Sequence, residues 1–139
     1  MKWHGLAVAA AALVAGCGGS DRAVYDLWET DSCLLDKGYS PTLVETDDPA
    51  ALRGEPGANG VLEIKADDGT AIDIRFEDDP DAATARAGLL EKSAVSLGRE
   101  DASDAIETKR NVTYWATGDR KVGDRSAEAF DDVDACLSD

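Results

Sequence analysis

Val61-Leu62-Glu63-Ile64-Lys65-Ala66, then Asp67-Asp68-Gly69, then Thr70-Ala71-Ile72-Asp73-Ile74-Arg75-Phe76 is the stretch on which the fold turns. Both arms alternate apolar and polar residues with the period of a half-buried strand, and an acidic centre ending in glycine is turn chemistry, so the segment predicts a β-hairpin. The faces also select the turn. A two-residue Asp68-Gly69 loop sets Ile64 opposite Asp73, whereas a three-residue Asp67-Asp68-Gly69 loop pairs Ile64 with Ile72 and Leu62 with Ile74. Only the second keeps one face apolar, and it gives Gly69 the left-handed bulge position where the missing Cβ removes the penalty. Glu63, Lys65, Asp73 and Arg75 then share the wet face, where opposite charges pair weakly.

Outward from the hairpin, Asp79-Pro80-Asp81 is a helix start: a capping oxygen, proline at the first position and an acid at the positive end of the dipole. The helix is expected to run to about Leu97, with a stripe of Ala83, Ala87, Leu90, Ala94 and Leu97 narrow enough for close approach to a sheet. Ala102 to Thr108 reads as a strand, joined by a turn at Lys109-Arg110 to a second strand over Asn111 to Thr117. A terminal helix from about Ser126 carries Phe130, Val133 and Leu137 on one face. On the other side, Val24, Leu27, Trp28, Leu34 and Leu35 mark one helix, in which Thr30-Asp31 is the place where a break could fall and which stops at Gly38, and Thr42 to Thr46 a strand. Residues 47 to 60 carry enough glycine and proline to be read as an irregular loop. The order helix, strand, hairpin, helix, strand pair, helix predicts an α+β two-layer sandwich, with helices on one face of a mainly antiparallel sheet.

Residues 1 to 20 belong to no such layer. Lys2 precedes an apolar core from Leu6 to Ala15, which is a signal peptide pattern and too short for the ~20 residues of a permanent membrane span. Val14-Ala15-Gly16-Cys17 resembles the lipobox of bacterial lipoproteins, in which a branched apolar residue and two small residues precede a cysteine. That resemblance covers only the first seventeen residues. It implies cleavage before Cys17, a diacylglyceryl thioether on its sulfur, and anchoring to the extracytoplasmic face of the bacterial membrane. The implied organisation is a leader over 1–16, a lipidated tether over 17–22 and one α+β domain over 23–139. The competing reading is an ordinary signal cut nearby that leaves Cys17 as a spare thiol.

With Cys17 lipidated, Cys33 and Cys136 remain, and export puts them where thiols become oxidised. Parity and compartment predict a structural disulfide between them. It would close a loop of roughly 104 residues, removing unfolded-state freedom equivalent to ~4.7 kcal/mol in the loop-entropy model. A redox role is the alternative, but catalytic pairs usually sit in a Cys-x-x-Cys turn that activates one thiolate.

Composition then narrows function by exclusion. The 139 residues carry 29 acidic and 14 basic side chains, a net charge of −15. Loss of Lys2 with the leader leaves 13 basic against 29 acidic side chains, or −16. Scattered Lys and Arg argue against nucleic acid, and the same deficit means that an anionic bilayer repels the domain, so a lipid must do the holding. The sole histidine, His4, and the sole methionine, Met1, lie in the leader. The mature chain therefore has no His for a catalytic triad or a metal site.

Acidic runs at Asp47-Asp48, Asp67-Asp68, Glu77 to Asp81, Glu100 to Asp104 and Asp131 to Asp134 lack calcium-loop spacing, and each has a local role as turn, cap or solvated face. Lys92-Ser93 are helical neighbours that point apart, which argues against a Ser-Lys dyad. Asn111-Val112-Thr113 fits a glycosylation acceptor, which a bacterial lipobox makes irrelevant. Trp28, Tyr114 and Trp115 are either core or a recognition patch. Alternation forbids Tyr114 and Trp115 both facing inward, so Trp115 is the residue to test as a partner contact.

The sequence thus points to a membrane-anchored, non-enzymatic accessory module that binds another envelope component, with no cofactor. The alternatives are a small-ligand or cation-binding module and a carboxylate-dependent hydrolase.

Overall fold

The side chain of Asp26 decides where the first helix begins. In a computed structural model, which describes residues 24–67, 69, 71–96, 106–117 and 127–138, Asp26 Oδ1 accepts from the backbone N–H groups of Trp28 and Glu29, both at 3.0 Å. Helix α1 (Leu27–Asp36) therefore starts after Val24, which stays exposed. It is unbroken at Thr30, whose hydroxyl bonds back to the Asp26 carbonyl at 2.8 Å. Thr30 and Leu34 are buried and Leu35 is exposed, so the inward stripe is Leu27, Thr30 and Leu34 rather than one that includes Val24 and Leu35. Gly38, at φ +96°, ends the helix: its N–H reaches the Leu35 carbonyl and that of Tyr39 the Leu34 carbonyl.

Strand β1 (Thr42–Glu45) follows, and then a one-turn helix, α2 (Pro49–Leu52), inside the segment expected to be irregular. The physical reason is a cap and a preset angle. Asp48 accepts from Ala50 N–H at 2.9 Å and Pro49 fixes the first helical φ. Strands β2 (Gly60–Lys65) and β3 (Ala71–Phe76) form the hairpin, with Ile64 opposite Ile72, Leu62 opposite Ile74, and Gly69 at φ +86°. Helix α3 (Pro80–Ser96) starts where Asp79 accepts from Ala82 N–H at 2.8 Å. Then come β4 (Ile106–Lys109), β5 (Val112–Thr117) and α4 (Ala127–Cys136). The expected strand start at Ala102 and the helix end at Leu97 lie outside the described residues, as do the leader, Cys17 and the tether.

The five strands pair antiparallel throughout in the order β1-β2-β3-β5-β4. One face carries Leu62, Ile64, Ile72, Ile74, Phe76, Val112 and Tyr114, and α1 and α4 close over it with Leu27, Leu34, Phe130 and Val133, joined by Leu137 just past the end of α4. This is the α+β sandwich. Each large apolar side chain sealed there contributes about 1.5–3 kcal/mol of transfer free energy. Cys33 of α1 and Cys136 of α4 are joined by the disulfide, with their Cα atoms 5.7 Å apart.

Helix α3 does not join α1 and α4. Thr113 points away from the core face, by alternation with Val112 and Tyr114, and its buried hydroxyl donates to the Ala83 carbonyl of α3 at 3.0 Å. Ala83 is fully buried, and Ala87, Leu90 and Ala94 are half-buried along the same stripe. The alanines do permit close approach to the sheet, but on the side opposite the main core, over β4 and β5.

Candidate interaction face

With α3 over β4 and β5, the far side of β1, β2 and β3 presents its polar residues outward. The strands set this pattern themselves. Alternation places Glu63 and Lys65 of β2, and Asp73 and Arg75 of β3, opposite the Leu62–Ile64 and Ile72–Ile74 rows. Thr42 and Glu45 join them from β1. At the border with α3 stands Trp115 of β5, paired in register with Asp73 on one side and Ile106 on the other.

The two adjacent aromatics divide as alternation requires. Tyr114 is the core residue, 1% exposed, with its ring 5.9 Å from that of Phe130 and its hydroxyl bonded to Asp134 of α4. Trp115 lies half-buried on the other face, so α4 covers Tyr114 and not Trp115.

Charge on this face is only partly matched. Arg75 Nη2 binds Glu45 Oε1 at 3.0 Å, and Lys65 Nζ lies 3.9 Å from Glu63 Oε1. Glu63, however, sits directly opposite Asp73. Burial, then the charge of Glu63 and a hydrogen bond with it, push the Asp73 carboxyl up to about 6, while Arg75 pulls the other way. Asp73 Oδ1 and Arg75 Nε are both buried without a hydrogen-bond partner. The sequence contained this pairing, since the register that sets Ile64 opposite Ile72 also sets Glu63 opposite Asp73. Reading the four wet-face charges only as opposite pairs missed it. The two carboxyls are in contact, which leaves no room for the bond that a glycosidase pair must straddle at about 5–10 Å.

A second concavity lies at the end of the helical layer. Lys37, Tyr39, Lys65, Asp67, Glu128 and Asp132 line a polar cleft of about 280 Å³. Tyr39 Oη donates to Asp132 Oδ2 at 2.6 Å, and Lys37 Nζ is 3.9 Å from Asp132 Oδ1. Burial, then the bond to and charge of Asp132, then Glu128 and Asp67, hold the Tyr39 phenol well above its usual range.

Of the acidic runs, Asp48 and Asp79 cap helices α2 and α3, whereas Asp132 and Asp134 bond to the phenols of Tyr39 and Tyr114; Glu100 to Asp104 lie outside the described residues. Asp48 Oδ2 also accepts from Asn59 N–H at 2.9 Å, which, with the bond to Ala50, holds its carboxyl below the usual range. Among the described residues no group of three or more His, Cys, Asp or Glu side chains is arranged to hold a metal ion. None of their helices is long and apolar enough to cross a membrane. Asn111 is 2% exposed, and its amide is spent on the backbones of Tyr25 and Glu77, so the glycosylation match at this position is a structural joint.

No family model, no curated protein and no solved structure matches the chain.

Proposed function

We propose that the protein is an exported lipoprotein, cut before Cys17, lipidated on its sulfur and held at the extracytoplasmic face of a bacterial membrane. Its single domain then serves as a binding module for another envelope protein. The observation that carries this reading is Val14-Ala15-Gly16-Cys17 behind an apolar core of signal-peptide length. The disulfide supports it independently: pairing Cys33 with Cys136 uses every other cysteine, and such bridges persist in oxidising compartments. Two acyl chains anchor stably at ~0.8 kcal/mol per buried methylene, enough to hold a domain that an anionic surface repels. The tether spans at most roughly 3.5 Å per residue, so the domain works close to the bilayer.

Docking is assigned to the polar face of β1–β3 bordered by Trp115, because it combines matched and unmatched charges with a half-buried indole, the side chain most often found at interface hot spots. Detergent partitioning tests the anchor: the wild type enters the detergent phase and Cys17→Ala stays aqueous, whereas equal partitioning refutes lipidation. Crosslinking in intact cells tests the face. Capture of one protein by the wild type, lost in Trp115→Ala, supports it, and failure to capture any protein counts against it.

The Tyr39 cleft favours a second reading, in which the module binds a small polar ligand. A thermal-shift screen discriminates, since a ligand specific for the folded state raises the melting temperature by mass action and Tyr39→Phe blunts the rise.

A further inference from the structure

Like charges directly opposite each other across two strands repel, and Glu63 and Asp73 occupy such a pair of positions. Their neighbours give little relief. From β1, Glu45 adds to the repulsion on Asp73 and takes up Arg75 Nη2 at 3.0 Å. From β3 itself, Arg75 is the cation that opposes the repulsion, and it is shared with Glu45. From β2, Lys65 lies 3.9 Å from Glu63 with its side chain 78% exposed. Beyond Asp73, β5 brings Thr113 and Trp115 to this face, and β4 brings Ile106 and Thr108, none of them charged; Glu107 and Lys109 alternate to the other side. The stripe of α3 nearest the sheet is Ala83, Ala87 and Leu90, and its Arg86 is engaged by Glu77 at 3.1 Å. Asp73 Oδ1 is sealed from solvent and accepts no hydrogen bond.

We infer that in mild acid Asp73 holds a proton and donates it to Glu63, so that the centre of the sheet is a proton-dependent latch, closed while the proton is held and strained once it leaves. The sign follows from linkage. Burial and Glu63 raise Asp73 to about 6, against an ordinary aspartate value of about 4. The stabilisation is therefore complete below about pH 4 and is lost as pH rises through about 6. Two pH units correspond to up to about 100-fold in the folding equilibrium constant, and solvent access to the half-buried carboxyl lowers the expectation to about tenfold. The latch is a property of the folded sheet and does not depend on lipidation or on any partner.

The test is urea denaturation of the purified full-length protein between pH 5 and 8, together with a carboxyl carbon NMR titration of Asp73. The wild-type folding constant should gain about tenfold more on acidification than that of Asp73→Asn, which mimics the protonated form and should match or exceed the wild type at pH 8. Glu63→Gln should move the Asp73 midpoint down from near 6. A wild-type Asp73 midpoint at or below about 4.5 overturns the inference whatever the variants do, as does an unchanged pH slope in a folded Asp73→Asn protein.

Discussion

Removing the Asn111 carboxamide should unfasten the start of α1 from the sheet at a cost that can be worked from three bonds. Oδ1 accepts from Tyr25 N–H at 2.7 Å, and Nδ2 donates to the carbonyls of Tyr25 and Glu77 at 3.0 and 3.1 Å. The side chain sits at the β4–β5 turn, just after Arg110, whose positive φ of 49° aims the chain back and whose guanidinium lies 5.0 Å over the Tyr25 ring. Each bond contributes about 0.5–1.5 kcal/mol net, and a residue 2% exposed leaves little water to replace them. Asn111→Ala should therefore cost about 2–4 kcal/mol. In a domain of about 115 residues that corresponds to a fall in melting temperature on the order of 10 °C. Asn111→Asp separates bond loss from cavity formation. It keeps the acceptor for Tyr25 N–H but sets a carboxylate oxygen against two carbonyls, so it should be worse than Ala at pH 7 and recover in acid as it protonates. Denaturant unfolding of the three proteins at pH 7 and pH 4 is the assay. An alanine variant within about 0.5 kcal/mol of wild type, or an aspartate variant no worse than alanine, would refute the reasoning.

Three further outcomes follow from other parts of the molecule. Replacing both Cys33 and Cys136 by Ser should cost about 3–5 kcal/mol, from a bridge spanning 103 positions; a loss under about 1 kcal/mol in equilibrium unfolding would mean that the helical layer needs no clamp. Because the Tyr39 phenol is raised, its contribution to stability is intact below the ordinary tyrosine range near pH 10 and lost as pH climbs above it, and Tyr39→Phe should remove a step above that range from an alkaline absorbance titration. Gly60→Ala should destabilise the head of β2, since a Cβ there would meet the Glu45 carbonyl oxygen and Leu43 Cδ1, each at 3.0 Å; a melting temperature equal to wild type would show that β1 yields freely.

The register of the hairpin was legible because apolar alternation and turn chemistry impose the same pairing, and Gly69 has the positive φ that register demands. Helix α3 was legible at its start for a similar reason: Asp79 and Pro80 act together. Asp48-Pro49 carries the same signature and was obscured by the glycines and proline that follow it, although a single turn of helix needs nothing more. The side of the sheet that α3 takes was not legible. A row of alanines specifies how near a helix comes and leaves the face open, and here the choice shows in one buried hydroxyl, Thr113, bonded to Ala83. Which of Tyr114 and Trp115 enters the core is likewise a question of register with β3, where Tyr114 falls opposite Ile74 and Trp115 opposite Asp73. The opposed carboxyls of Glu63 and Asp73 were implied by the hairpin register and needed only to be followed across the strands.

The proposed anchor rests on the Cys17 sulfur, which is the atom to examine. Mass spectrometry of the N-terminal peptide of the natively expressed protein should find Cys17 as the first residue, carrying a diacylglyceryl thioether. A peptide that begins upstream of Cys17, or a Cys17 recovered as a free thiol, would contradict the account.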